Sequence, residues 1–168
     1  MKIKISNLSD GTHHFKFVEP VTSIGLEVPF EGNVEVDVEL KKAHNQIILD
    51  SVILANAIFE CDRCTTSFIK TLNADYRMVY FLGVEPVESE SDNIIYLSPE
   101  ADIIDISNDV RDFSVLSLPM KRLCYEDCKG LCYKCGKNLN EGDCSCKKHE
   151  TDARWLPLKE LKNKLNTN

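Results

Sequence analysis

No stretch of the 168-residue chain approaches the ~18 consecutive apolar residues of a transmembrane helix. The opening residues, MKIKISNLSDGTHH, hold no apolar segment either, so a secretory signal is not expected and a cytoplasmic location is the default. Glycine is sparse, at 7 residues, and no phosphate-cradling glycine loop is present. His13, His14 and His44 are scattered through strand and turn sequence, which favours packing or surface roles over catalysis. The carboxylates between positions 85 and 112 read as a solvated acidic surface rather than as a paired acid and base. These absences point away from an enzyme, a membrane partner and a small-molecule substrate. The single tryptophan, Trp155, reads as an anchor packed against the core rather than as a platform for a nucleobase.

What is present is ordinary in amount and uneven in distribution. A hydrophobic content of 43% and a charged content of 28% suit a globular protein of one domain, or one domain with a small appendage. The net charge of −7 is divided: residues 1–120 carry 9 Lys+Arg against 20 Asp+Glu, a net of −11, and residues 121–168 carry 11 against 7, a net of +4. Opposite signs suggest two surfaces with different partners, although lysines on the solvated face of a small lobe would give the same count. The division expected is a β-rich domain over 1–120 and a cysteine-rich lobe with a C-terminal helix over 121–168.

The first part reads as strands. Val34, Val36, Val38 and Leu40 alternate with Glu35, Asp37 and Glu39, the period of a half-buried strand. Met1–Leu8 and His13–Val18 are further candidates, with a turn at Ser9, Asp10 and Gly11 between them. Asn45–Glu60 is β-branched and apolar enough for one long strand or two, and Phe68–Phe81 alternates again. An acidic segment with Pro86, Gly83–Asn93, reads as a loop, and Ile94–Leu97 as a short strand. Ile103, Ile106, Val110 and Phe113 have helical spacing and predict a helix near 103–118, capped by Asp105 or Ser107 and stopped by Pro119. Leu158, Leu161 and Leu165 predict a short C-terminal helix with Pro157 in its first turn. The fold class expected is α+β: a mainly antiparallel sheet or partial barrel, one or two packed helices, and a small C-terminal zinc-binding lobe.

Six of the eight cysteines fall in CYEDCKGLCYKCGKNLNEGDCSC, from Cys124 to Cys146. The other two form Cys61-Asp62-Arg63-Cys64 between two predicted strands. A thiolate-closed tetrahedral zinc site needs four, so eight suffice for two sites. Two residues between cysteines let the chain turn back so that both sulfurs reach one ion. Cys132 and Cys135 make such a knuckle, followed by Gly136, and the turn residues Asn140–Asp143 bring Cys144 and Cys146 back to it. Cys124 and Cys128 then join Cys61 and Cys64. Other partitions remain open, with His149 as a substitute ligand. Disulfides, an iron–sulfur cluster and a redox pair at Cys61 and Cys64 fit less well. The first needs a secretory context, the second lacks ferredoxin spacing, and the third lacks a helix N-terminus. Two structural zinc ions are the cofactors expected.

CDRC after a strand, a helix ending in LSLP, LCYEDCKGLCYKCGKNLN, CSC, and DARW with a leucine-spaced tail together resemble the YceD family. The likeness runs from about Val34 to Leu165, with Ala153 standing where proline is expected. Carried over, the family's cysteine positions fall on Cys61, Cys64, Cys124, Cys128, Cys132, Cys135, Cys144 and Cys146. The resemblance implies a non-enzymatic factor in large ribosomal subunit biogenesis that promotes 23S rRNA accumulation. Its partner would be ribosomal RNA, a large-subunit protein or a precursor particle. Lys121, Arg122, Lys129, Lys134, Lys137, Lys147, Lys148 and Arg154 would then meet RNA phosphates, and the acidic sheet a basic ribosomal protein. The alternatives are a zinc-dependent protein adaptor without RNA contact and a thiol redox or zinc sensor.

Overall fold

The computed structural model describes residues 1–83, 94–146, 153–155 and 157–158. In chain order its strands are β1 (Lys2–Lys4), β2 (Gly11–Pro20), β3 (Phe30–Ala43), β4 (Gln46–Glu60), β5 (Ser67–Leu82), β6 (Ile94–Leu97) and β7 (Ile103–Asp105), followed by helix α1 (Ser107–Leu116). The alternation of valines seeds the sheet. Val34, Val36, Val38 and Leu40 are all fully buried on β3, and Glu35 and Asp37 face solvent. The same period continues across β4, a single strand that buries Ile47, Leu49, Ile53, Ala55, Ala57 and Phe59. On β5 it buries Leu72, Tyr76, Met78 and Tyr80. Burying one face only is what an antiparallel sheet with alternating sequence does.

Strands β2 to β5 form an antiparallel meander, and β6 completes a sheet of order β2-β3-β4-β5-β6. The last pairing is the one parallel pairing described in this mainly antiparallel sheet. β6 runs parallel to β5, with Val79 opposite Ile94 and Leu82 opposite Leu97. The chain between Leu82 and Ile94 is long enough for a parallel return, which a tight hairpin does not allow. The sheet is open, since β2 and β6 occupy its two edges without pairing, so no barrel closes. β6 covers only the end of β5, and among the described residues no strand pairs with the free side of Ser67–Met78.

A separate ladder joins β1 to β7, with Ile3 opposite Ile104. This is the reason that the helix is shorter than expected. Ile103 and Ile104 alternate, 50% and 3% exposed, as strand residues do, and a short apolar run does not reveal its period. The helix starts after Asp105, whose carboxylate accepts the Ser107 N–H at 3.0 Å. It lies on the inner face of the sheet, burying Val110 and stacking Phe113 on Tyr76 at 4.7 Å between ring centres. Val21, Ile24 and Leu26 fill the space beside it.

Trp155 departs from its expected role. It closes a short 3-10 turn, Ala153–Trp155, and is 58% exposed. The inner face of the sheet is already covered by α1 and the β1–β7 ladder, and Trp155 is not among the side chains packed there. The acidic segment after Gly83, Lys147, Lys148, His149 and the leucine-spaced tail beyond Leu158 lie outside the described residues.

The outer face of the sheet carries paired charges. Arg77 reaches Asp50 at 2.5 Å, Lys41 bridges Glu39 and Asp50 at 2.6 and 3.6 Å, and Lys16 bridges Glu35 and Asp37 at 3.3 and 3.8 Å. The hydrogen bond from Arg77 holds the Asp50 carboxyl below its ordinary range. A depressed carboxylate pKa stabilises the fold above the unfolded value and is lost as the pH falls through the folded one. Asp50→Asn should therefore cost no more than about 1 kcal/mol at pH 7, as exposed pairs do. Denaturant melts of the two proteins should begin to converge as the pH falls below about 4, where the unfolded carboxyl is protonated, and should meet only once the folded carboxyl is protonated as well.

Candidate metal centres

The β4–β5 connection is built to present two sulfurs. Cys61 directly follows β4 and donates its N–H to the Thr66 carbonyl at 3.0 Å, and the Thr65 N–H donates to the Cys61 carbonyl at 2.9 Å. Cys61 and Cys64 thereby face the segment Cys124–Cys128, more than sixty residues later in the chain. Cys61 Sγ lies 3.8 Å from Cys128 Sγ, and Cys64 Sγ 3.7 Å from Cys124 Sγ. All four sulfurs are within 4.8 Å of one another. Zinc bound at ~2.3 Å to four tetrahedral thiolates would set its sulfurs about 3.8 Å apart, so the spacing fits the ion. It is far longer than the ~2.05 Å of a disulfide bond, and all eight cysteines are free.

Both residues between Cys61 and Cys64 reach the lobe. Asp62 exchanges two bonds with Arg122: its N–H donates to the Arg122 carbonyl at 2.8 Å, and its carboxylate accepts the Arg122 N–H at 2.7 Å. Arg122 also lies over the Phe59 ring at 5.4 Å. The Arg63 guanidinium donates to the carbonyls of Glu126 and Cys128 at 3.1 and 2.8 Å, and the Arg63 carbonyl accepts the Leu131 N–H at 3.0 Å. Gly130 sits against that carbonyl with a positive φ of 74°. Phe68 and Leu123 close the apolar side of the tetrad.

The second tetrad is local. Cys132 donates to the Lys137 carbonyl and accepts the Gly136 N–H, both at 2.8 Å, and Gly136 takes φ 72° to close the knuckle. The Lys137 amine donates to the Asp143 carbonyl at 2.7 Å and draws the return segment in. Cys144 Sγ lies 3.4 Å from Cys132 Sγ, and with Cys135 and Cys146 these sulfurs again fall within 4.8 Å. The two centres differ in burial. Cys61, Cys64 and Cys128 are buried, whereas Cys135 is exposed and Cys144 and Cys146 are half-buried.

Fixed dipoles prepare each centre for charge. Burial pushes the Cys61 thiol up, but the N–H groups of Cys124, Arg63 and Cys64 outweigh it and bring it down to about 6. The Thr66 hydroxyl and N–H lower Cys64. In the other tetrad the N–H groups of Cys135 and Lys134 bring Cys132 to about 6. The fourth thiol is hard to ionise. Burial, then its thiol neighbours, drive Cys124 up to about 12; Cys146 rises to about 12 through Cys135 and burial. A divalent cation removes this penalty, since thiolates are its ligands and binding expels their protons. Such an ion would be held by Cys61, Cys64, Cys124 and Cys128, or by Cys132, Cys135, Cys144 and Cys146. With four thiolates it would have no open position and would serve structure rather than water activation. Asn140 links the centres: its amide donates to Cys128 Sγ at 3.3 Å and its carbonyl accepts the Lys129 N–H at 2.7 Å.

Among the basic residues expected to meet RNA, Lys121, Arg122, Lys129, Lys134, Lys137 and Arg154 are exposed. Sequence reasoning missed Lys70, an exposed residue of β5 that the fold brings beside Lys121. It also missed the docking roles of Asp62, Arg63, Thr66 and Asn140. Only the position of Asp62 and Arg63 inside the C-x2-C pair hinted at theirs.

Comparison with known proteins settles the family. The family model described as large ribosomal RNA subunit accumulation protein YceD matches residues 49–162, more than half of the chain and all eight cysteines. The chain belongs to the YceD family. The family's name implies a role in large ribosomal RNA subunit accumulation. The chain is similar to the chloroplastic large ribosomal RNA subunit accumulation protein YCED homolog 1 of Arabidopsis thaliana, 27% identical over 86% of this chain and 53% of the relative. The Zea mays protein of the same name is 28% identical over 75% and 52%. An uncharacterised protein of Mycobacterium leprae is 26% identical over 74% and 58%. The chain thus spans little more than half the length of these curated YceD relatives. No solved structure matches it.

Proposed function

We propose that this chain is a non-enzymatic, cytoplasmic accessory factor in ribosome biogenesis that promotes 23S rRNA accumulation or large-subunit assembly. Two structural zinc ions would hold its lobe. The family match carries the reading. Charge supports it: Lys16, Lys41 and Arg77 on the outer face of the sheet are ion-paired, whereas Lys121, Arg122, Lys129 and Lys134 form no ion pair among the described residues. Cations with no carboxylate partner, on a lobe that metal would hold rigid, suit phosphates.

The test is titration of the metal-loaded chain with a transcript of large-subunit precursor rRNA across a salt series. Affinity should fall steeply with salt, and replacing Lys121, Lys129 and Lys134 with alanine should flatten the log–log slope by about 0.7 to 0.9 per lost phosphate contact. Binding that ignores salt and these substitutions would refute RNA contact and favour an adaptor that meets only protein. The exposure of Cys135 favours a second reading, a thiol redox or zinc sensor. Rapid alkylation of Cys135 in the metal-loaded protein would support it.

A further inference from the structure

Resting on the reading of the chain as an RNA-contacting factor, we propose that one groove receives single-stranded RNA. It lies between the start of β5 and the first turn of the lobe. One base would stack on Tyr125, and the flanking phosphates would meet Lys70 and Lys121.

The groove has a volume of about 380 Å³, and its lining includes Phe68, Ile69, Lys70, Lys121, Cys124, Tyr125 and Glu126. Its chemistry is that of a single-strand platform, which combines cations that follow the backbone with an aromatic face on which any base can stack. Tyr125 is 49% exposed and Ile69 is 64% exposed, so an apolar surface lies open beside two ammonium groups. Neither Lys70 nor Lys121 has an ion-pair partner among the described residues. Glu126 is the only carboxylate among the lining residues, against the two ammonium groups of Lys70 and Lys121.

The walls are fixed before any ligand arrives. Tyr125 lies between Cys124 and Cys128 of the first tetrad, and the Cys128 N–H donates to the Tyr125 carbonyl at 3.2 Å. The opposite wall is β5, along the stretch where β6 does not reach. A stacking ring held by a metal-bound turn loses little freedom on binding. An acidic peptide would satisfy the lysines but stacks on Tyr125 only where an aromatic residue falls in register, whereas every nucleotide carries a planar base, and this favours RNA.

The full metal-loaded chain is titrated with a fluorescent uridine decamer and, separately, with the precursor rRNA transcript, in a salt series. Tyr125→Ala should weaken decamer binding roughly 5- to 100-fold, the range of one stacked base, while Tyr125→Phe keeps it. Lys70→Ala and Lys121→Ala should each flatten the decamer's salt slope by about 0.7. All three side chains are exposed, so metal content and melting temperature should not change. If the transcript binds but Tyr125→Ala and Lys70→Ala leave decamer affinity unchanged, the groove is refuted and RNA contact stands. If neither RNA binds, both fall. Variants that keep full RNA affinity yet lose an acidic peptide assign the groove to a protein.

Discussion

Cys128→Ser is expected to reduce zinc from two ions per chain to one and to lower the melting temperature by roughly 8–16 °C, the shift that ~4 kcal/mol produces in a chain of this size. Cys144→Ser should remove one ion as well but shift the same transition by less than about 4 °C. The asymmetry follows from what each centre ties together. The first joins the end of β4 to a segment more than sixty residues away and is packed against Phe68 and Leu123. By chain entropy a crosslink closing a loop of that length is worth ~4 kcal/mol. The second closes residues 132–146 on themselves, with an exposed Cys135, and its loss frees a segment that buries little apolar surface. Such a segment opens locally without melting the sheet. Elemental analysis after purification under reducing conditions, paired with calorimetry, gives both readouts. Equal melting shifts in the two variants would refute the division of labour, and two ions in Cys128→Ser would refute the first centre.

Gly130→Ala should be the most damaging substitution outside the cysteines and the core, with a loss of roughly 2–4 kcal/mol built from two separate effects. An added Cβ would lie 2.9 Å from the Arg63 carbonyl oxygen and 3.3 Å from Arg63 Cβ. That oxygen cannot swing aside without releasing the Leu131 N–H it holds at 3.0 Å. In addition, φ of 74° costs an L side chain about 1–2 kcal/mol. Gly136→Ala separates the two effects, because Gly136 has φ 72° and nothing within 4 Å of its Cβ position. Both variants should retain two zinc ions. Gly130→Ala should melt several degrees below Gly136→Ala, and its β4–β5 connection should be cut sooner by protease. Identical melting of the two would mean that the close approach to Arg63 contributes nothing.

Much of the sheet could be read in advance because its signal is local. The valines of β3 and the alternation along β5 depend on near neighbours, and both mark their strands to within a few residues. Pairing direction is not a local property, so the parallel β6 was invisible in IIYL. The pair Ile103-Ile104 fits a strand and a helix equally, and the β1 partner that decides between them lies a hundred residues away. The two sulfur clusters were legible because their chemistry sets a count of four and a tight spacing. The geometry groups the cysteines as spacing suggested. Lys70 was not legible as a neighbour of the lobe's lysines. It sits in the acidic part of the chain, and only the docking of the lobe brings it beside Lys121.

The span of the first centre also sets an order on biosynthesis. Strands β2 to β5 are complete in the growing chain at Leu82, when Cys61 and Cys64 already stand at the tip of the β4–β5 connection. Their partners are not made until Cys124 and Cys128. For that interval the nascent protein displays a bare dithiol, half of a candidate metal site, at the end of the four-stranded meander. Such a pair is open to oxidation and to thiol-loving ions other than zinc. The second centre has no such interval, because its four cysteines emerge within fifteen residues of one another.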